Sequence, residues 1–353
     1  YLDAVAGIAV VSVGHCHPKV TRRACEQLGR LVHTTTVYLH PGIALMARRL
    51  ADHMPAGSDL TVSYFANSGS EANDLATLMA LLATRRDHVL ALQNAYHGGT
   101  QATMALTAIA TWKYPVPSTV RVSHGTPGYC YRCPYNLTYP ACDLRCARGL
   151  EDLIRNEAGG EIAGFIAEPV QGVGGVIVPP KEYFKVAYGI VRRCGGLCIA
   201  DEVQAGSGRT GYHYWGFQNF DVVPDMVTAA KGIANGAPLS AVVTRPEIAS
   251  QMSQRLHFNT FGGNPVSIAQ GLAVMEIIEE EKLQENARTL GEYLLDRLRA
   301  MQDKHPLIGE VRGMGLLIGI ELVKDRATRE PAATEAGEIL ELARRRGLLL
   351  GKS

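Results

Sequence analysis

The chain has 353 residues, of which 46% are hydrophobic and 20% charged, and its formal charge is +1. That is the composition of a globular chain long enough for one large domain and a smaller one. It gives no electrostatic case for nucleic acid or an anionic membrane, no apolar run reaches the roughly 20 residues that cross a bilayer, and no signal peptide stands out. The expected setting is the cytoplasm, or the mitochondrion if a transit peptide is missing. Residues 1–40 carry Gly7, Gly14 and His17-Pro18 and are expected to pack with a small C-terminal domain. Residues 62–65 read as a buried strand, and Asn67-Ser68-Gly69-Ser70-Glu71-Ala72-Asn73 then opens a helix over 71–82. A strand over 89–93 ends in Tyr96-His97-Gly98-Gly99, and one over 162–167 ends in Glu168-Pro169-Val170-Gln171-Gly172. A helix over 180–194 precedes a strand over 197–200, which ends in Asp201-Glu202-Val203-Gln204. A strand over 226–228 leads to Lys231 and the loop Gly232-Ile233-Ala234-Asn235-Gly236. Another strand covers 239–243, and the turn Asn259-Thr260-Phe261-Gly262-Gly263-Asn264-Pro265 opens a helix over 265–280.

Buried strands separated by helices predict an α/β fold with a mainly parallel sheet and helices on both faces. From about Ala269 long charged helices (277–301 and 333–346) flank a strand over 316–322, the pattern of a smaller α+β domain. The expected division is therefore an N-terminal segment over 1–40, a large domain over 41–268 and an incomplete small domain over 269–353.

Ligands of parallel sheets bind beyond the carboxyl ends of the strands, where Asp201 and Lys231 both fall. An amine at the end of a buried strand can condense with an aldehyde, and a carboxylate nearby can hold a pyridinium proton. Pyridoxal 5'-phosphate needs this pair. The other motifs suit the same ligand. Ser68, Gly69 and Ser70 offer amides at a helix N-terminus to a phosphate, although a plain N-cap explains such a sequence equally well. Tyr96, beside His97, offers a ring to stack on the pyridine. Glu168 sits on the same rim as Asp201. Val203 is placed to pack one ring face and Gln204 to reach the phenolic oxygen, and the turn at Thr260 suits a second phosphate contact.

There are eight cysteines. Cys16, Cys25, Cys194 and Cys198 are scattered and read as reduced thiols. Cys130, Cys133, Cys142 and Cys146 cluster with a spacing compatible with zinc, or with reduced thiols or disulfides. The second pair is loosely spaced, so the expectation is that no metal is held.

Taken in order, the 67–73, 96–98, 168–172, 201–204, Lys231 and 260–265 motifs resemble the class III, ornithine-type aminotransferases among fold-type I pyridoxal-phosphate enzymes. The resemblance covers nearly the whole chain. It implies that Lys231 is the Schiff-base lysine and proton shuttle and Asp201 the pyridinium partner. It also implies that Ser68, Gly69 and Ser70 cup the phosphate, and that Tyr96 stacks opposite Val203. Thr260 would reach the phosphate held by the other subunit, which implies a homodimer with shared active sites, and a tetramer is compatible with it.

The stretches 214–218, 257–260 and 311–316 look closest to the alanine–glyoxylate aminotransferase 2 branch. In ornithine, acetylornithine and many 4-aminobutyrate enzymes of the family, a Glu two residues after the Gln of Glu-Pro-x-Gln masks a substrate-binding arginine. Here that position is Val173. The arginine itself is expected beyond Ser353. Ser207 and Ala237 stand where the family commonly has Phe, at positions that bear on the substrate pocket. The resemblance thus implies ping-pong transfer from a small donor, alanine or a β-amino acid, to a keto acid such as glyoxylate or pyruvate. The alternatives are a 4-aminobutyrate-type ω-aminotransferase, an amino-acid racemase or phospho-lyase, and, more remotely, a non-catalytic pyridoxal-phosphate-binding protein.

Overall fold

The structure, a computed structural model, describes residues 1–352. Its centre is a seven-stranded sheet of β1 (Val62–Ala66), β2 (His88–Leu92), β3 (Arg121–Gly125), β4 (Gly164–Ala167), β5 (Leu197–Asp201), β6 (Met226–Ala229) and β7 (Ser240–Thr244). The spatial order is β1-β7-β6-β5-β4-β2-β3. β7 is antiparallel to β1 and β6, and the remaining pairs are parallel. The expected α/β class with a mainly parallel sheet is the one formed.

The longer helices are α1 (Pro18–Leu28), α2 (Pro41–Asp52), α3 (Gly69–Thr84), α4 (Arg145–Glu157), α5 (Tyr183–Arg193), α6 (Pro265–Glu280), α7 (Leu283–Gln302) and α8 (Ala333–Arg345), of which α3 lies on one face of this sheet and α2, α4, α5 and α6 on the other. Side chains alternate across a strand, and β2 divides accordingly. Val89 and Ala91 join Ala76 and Met79 of α3 in one cluster, while Leu90 and Leu92 join Ile154 of α4 and Tyr183 of α5 in another. A third cluster packs Met46 and Leu50 of α2 and Val274 and Ile277 of α6 against Val227 and Val243.

Two expectations are corrected. The helix expected over 277–301 is two helices, because Lys282 adopts φ +52° between α6 and α7. The lone strand expected over 316–322 is half of an antiparallel pair, β8 (Ile308–Met314) with β9 (Leu317–Asp325). α7 packs there, with Leu295, Ile308 and Val311 forming a small core. At the other end of the chain, Leu2–Asp3 pairs in parallel with Leu348–Leu349. α1 lies on α6, where Lys19 meets Glu276 and Glu280 and Arg23 meets Glu276.

Candidate active site

β2, β4, β5 and β6 run parallel, so their carboxyl ends share one rim. β2 delivers Tyr96 and His97 to it, β4 delivers Glu168, β5 ends in Asp201, and β6 leads to Lys231. The sequence folds this way because β2, β4 and β5 run at once into polar residues, and β6 into Ala230 and then Lys231.

Asp201 is buried and held from three sides. His97 Nδ1 lies 2.7 Å from its Oδ2, Asn73 Nδ2 donates to the same oxygen at 2.8 Å, and the Val203 amide donates to Oδ1 at 3.1 Å. Asn73 is fixed in turn: it also donates to the His97 carbonyl at 2.8 Å and accepts from Thr228 Oγ1 at 2.7 Å. A carboxylate accepts about four hydrogen bonds, so Asp201 keeps acceptor capacity for one more donor. His97 Nε2 is buried without a partner among the described residues.

Glu168 accepts from the Tyr96 amide at 3.0 Å and from the Gly172 amide at 2.8 Å. Burial raises its pKa, with His97 opposing and the Asp201 charge adding. Its neighbour on the rim, Lys231, has its ammonium pKa lowered by burial, while the charges of Asp201 and Glu168 pull the other way. The net effect favours the free amine. Lys231 also sits at φ +49°, the left-handed region that non-glycine residues rarely adopt.

At the N-terminus of α3, Ser68 Oγ accepts from the Glu71 amide at 3.2 Å, and Glu71 Oε2 accepts from the Asn67 amide at 3.0 Å. Ser68 is thus the N-cap, with Glu71 reaching back to the residue before it, so the N-cap reading of Ser68 holds for its hydroxyl. The first-turn amides after it have no intrahelical acceptor by construction, which leaves Gly69 and Ser70 as donors. Ser70 Oγ accepts from the Gly99 amide at 3.0 Å and so ties the 96–99 turn to the helix start. A Cβ on Gly69 would lie 3.1 Å from Val203 Cγ1, and one on Gly172 would lie 2.4 Å from Gln204 Oε1. Val203 and Gln204 therefore belong to the same cluster as the helix start and the Glu168 turn. Thr260 is exposed on a turn whose Asn259 accepts from Asn67 Nδ2 at 3.1 Å and donates to Glu71 at 3.2 Å.

Sequence reasoning passed over four participants. Asn73 holds Asp201 and Thr228 holds Asn73, and the only signal was two polar residues inside apolar elements. Trp112 stands edge-on to Tyr96, with ring centroids 5.3 Å apart, and its distance along the chain hid it. Glu202, next to Asp201, accepts from the amides of Gly216 and Phe217, each at 2.7 Å, and burial pushes its pKa up to about 8. Among the described residues no group of three Cys, His, Asp or Glu side chains forms a metal site.

The set fits pyridoxal phosphate: an amine whose ammonium pKa burial lowers, a buried carboxylate with spare acceptor capacity, helix-start amides for a phosphate, and an aromatic ring beside them. The comparisons agree. The family model for class-III aminotransferases matches residues 1–353. The chain is 48% identical over 352 residues to an Arabidopsis thaliana protein named alanine–glyoxylate aminotransferase 2 homolog 2, mitochondrial, covering 100% of this chain and 72% of that one. It is 44% identical over 372 residues to human alanine–glyoxylate aminotransferase 2, mitochondrial, again covering 100% and 72%. A Thermomicrobium roseum (S)-enantioselective omega-transaminase superposes with a TM-score of 0.93 at 36% identity, covering 100% of this chain and 82% of the other. An aminotransferase of Bacillus anthracis superposes with a TM-score of 0.92 at 35% identity, covering 99% and 80%. With its fold, its rim of site residues and its full-length match agreeing, the chain belongs to the class-III aminotransferases, enzymes that work with pyridoxal phosphate.

Proposed function

We propose that this enzyme moves the amino group of alanine or a small β-amino acid to a keto acid such as glyoxylate or pyruvate. The observation that carries the reading is the 44–48% identity, over the whole chain, to relatives named alanine–glyoxylate aminotransferase 2. Val173 supports it, because that position offers no carboxylate to mask a substrate-binding arginine.

Lys231, Asp201, Tyr96, His97, Glu168, Val203 and Gln204 would hold the cofactor, with Ser68, Gly69 and Ser70 at its phosphate. When bound, pyridoxal phosphate supplies the carbonyl that captures the donor amine and the ring that takes up the electron pair freed at the donor's Cα. The protein supplies the rest. Lys231 Nζ, whose ammonium pKa burial lowers, would accept the proton from the donor's Cα. Asp201, kept in place by His97 and Asn73, would hold a proton on the cofactor's ring nitrogen. Glu168 and the Gly172 backbone shape the floor beside Tyr96.

A homodimer with Thr260 reaching the partner's phosphate site is part of the proposal, and a tetramer is compatible with it. The exposed apolar side chains of Val37, Tyr38, Leu39, Leu256, Phe258 and Phe261 support it. The division at 40 and 268 is also proposed. The separate β8–β9 core supports it, while α6 spans the boundary and joins the two parts. No helix among the described residues is long and apolar enough to cross a membrane. We favour the cytoplasm. Fractionation of the full-length protein tests this, and recovery from mitochondria, as the relatives' names would have it, overturns it.

The deciding experiment measures kcat/KM for alanine, β-amino acids, 4-aminobutyrate, ornithine and acetylornithine, with glyoxylate and pyruvate as acceptors. Preference for alanine or a β-amino acid supports the reading, and preference for ornithine or acetylornithine overturns it. Enantiomer exchange without a keto acid would instead identify a racemase.

A further inference from the structure

The active site makes no use of Cys130, Cys133, Cys142 and Cys146. They lie on the irregular connection between β3 and α4, and all four thiols are free. They line a single cavity of about 20 Å³, in company with Pro127, Tyr135 and Pro180. The first pair sits on a turn, where the Cys133 amide donates to the Cys130 carbonyl at 3.3 Å. The second straddles the start of α4, where the Arg145 amide donates to the Cys142 carbonyl at 3.1 Å. The connection thus doubles back and brings both pairs to one wall. All four thiols therefore border one small gap. Cys130 is exposed and open to a reagent.

Two further observations narrow the chemistry. The side chains do not converge as metal ligands. Burial raises the Cys130 pKa, and of the neighbouring thiols Cys142 adds more than Cys133. Cys146 is pushed up to about 11 by burial, which keeps it protonated and inert at neutral pH.

We propose that Cys130 and Cys142 are a thiol-oxidation site that forms a cross-loop disulfide with a low-molecular-weight disulfide as oxidant. The Cys130 thiolate attacks one sulfur of glutathione disulfide, forms a mixed disulfide and expels one glutathione thiolate. The Cys142 thiolate then attacks the Cys130 sulfur and expels the second. The protein loses two electrons and two protons, and the oxidant becomes two thiols. The cross-link closes a connection that already grips the rest of the molecule. Tyr129 and Arg132 bind Glu321, and Arg312 joins Glu321 at 2.6 Å to the Gly175 carbonyl at 2.6 Å.

The test uses holoenzyme, reduced and then freed of thiol. It is incubated with glutathione disulfide at several pH values, alkylated and mapped by peptide mass spectrometry, and zinc is measured on a portion taken beforehand. The expected product is a Cys130–Cys142 cross-link that dithiothreitol removes and that forms faster as pH rises. Cleavage of the connection by thermolysin should slow severalfold in the oxidised protein, with transamination changed less than twofold. Cys142→Ser should abolish the cross-link and the protection while keeping activity. A Cys130–Cys133 bridge, oxidation confined to Cys16 and Cys25, thiols that stay free, or stoichiometric zinc would each overturn the proposal.

Discussion

At Lys231 a left-handed backbone and a buried amine coincide. A non-glycine residue held there costs about 1–3 kcal/mol, and the amine gives up part of its hydration as well. Neither feature improves packing, so both point to chemistry. Lys231→Ala is expected to stay folded and to lose turnover by several orders of magnitude. Borohydride reduction of the wild type should fix the cofactor to Lys231, and peptide mapping that finds it on another lysine would overturn the assignment. Asp201→Ala should likewise fold and lose several orders of magnitude in rate, since no other carboxylate accepts from His97 Nδ1. Near-normal turnover would remove Asp201 from the ring-partner role. Asn73 allows a finer test. Its loss leaves Thr228 Oγ1 without its acceptor and Asp201 without a donor. Asn73→Ala should cost about 1–3 kcal/mol in denaturant unfolding and lower kcat as well. A variant as stable as wild type would show that the network does not brace the rim. Lys231 and Asp201 were legible because each follows an apolar strand directly. Asn73 was not, because within an apolar helix a single Asn reads as an interruption until its partners are seen.

The strands were legible as elements because burial on both faces demands unbroken apolar runs, and β4 to β7 supply them. β3 was not, because it is the sheet's edge and its Arg121-Val122-Ser123-His124-Gly125 carries polar residues that a one-sided strand tolerates. The break at Lys282 was hidden because nothing in a charged helical pattern marks a left-handed residue. One element-scale device follows from Glu202, which pins the turn at Gly216–Phe217 to the end of β5. Its carboxyl, ordinarily at 4.5, is pushed to about 8 by burial. Between those values the unfolded chain has released the proton that the folded chain keeps. Stability should therefore fall as pH rises from about 4.5 to about 8. Glu202→Gln has no carboxyl to titrate, so its denaturation midpoint should decline less steeply over that window. Parallel slopes for variant and wild type would show that Glu202 ionises normally.

At the scale of the whole molecule, one surface stands apart. The Asn264 side chain donates to the Val32 carbonyl at 3.1 Å, and the rings of His33 and Phe261 lie 5.4 Å apart, so the 31–39 segment runs beside the 256–264 turn. Leu39 and Leu256 are fully exposed there, together with Val37, Tyr38, Phe258 and Phe261. A monomeric protein seldom shows an apolar patch of this kind without a partner for it. Thr260 is exposed on the same turn, between Phe258 and Phe261, which suits a side chain meant for another subunit's site. A two-fold contact would bury both copies of the patch at once and bring each Thr260 toward the partner's phosphate. The double variant Leu256→Asp, Phe261→Asp places charge in that contact and should convert a dimer to a monomer in sedimentation velocity. Because the phosphate site would lose its Thr260, cofactor affinity should fall with dissociation, and a cofactor titration of the variant reads that directly. Thr260→Ala alone should weaken cofactor binding while leaving the dimer intact. Wild-type protein that sediments as a monomer with undiminished cofactor affinity would refute the shared site, and a Thr260→Ala dimer with unchanged affinity would remove Thr260 from it.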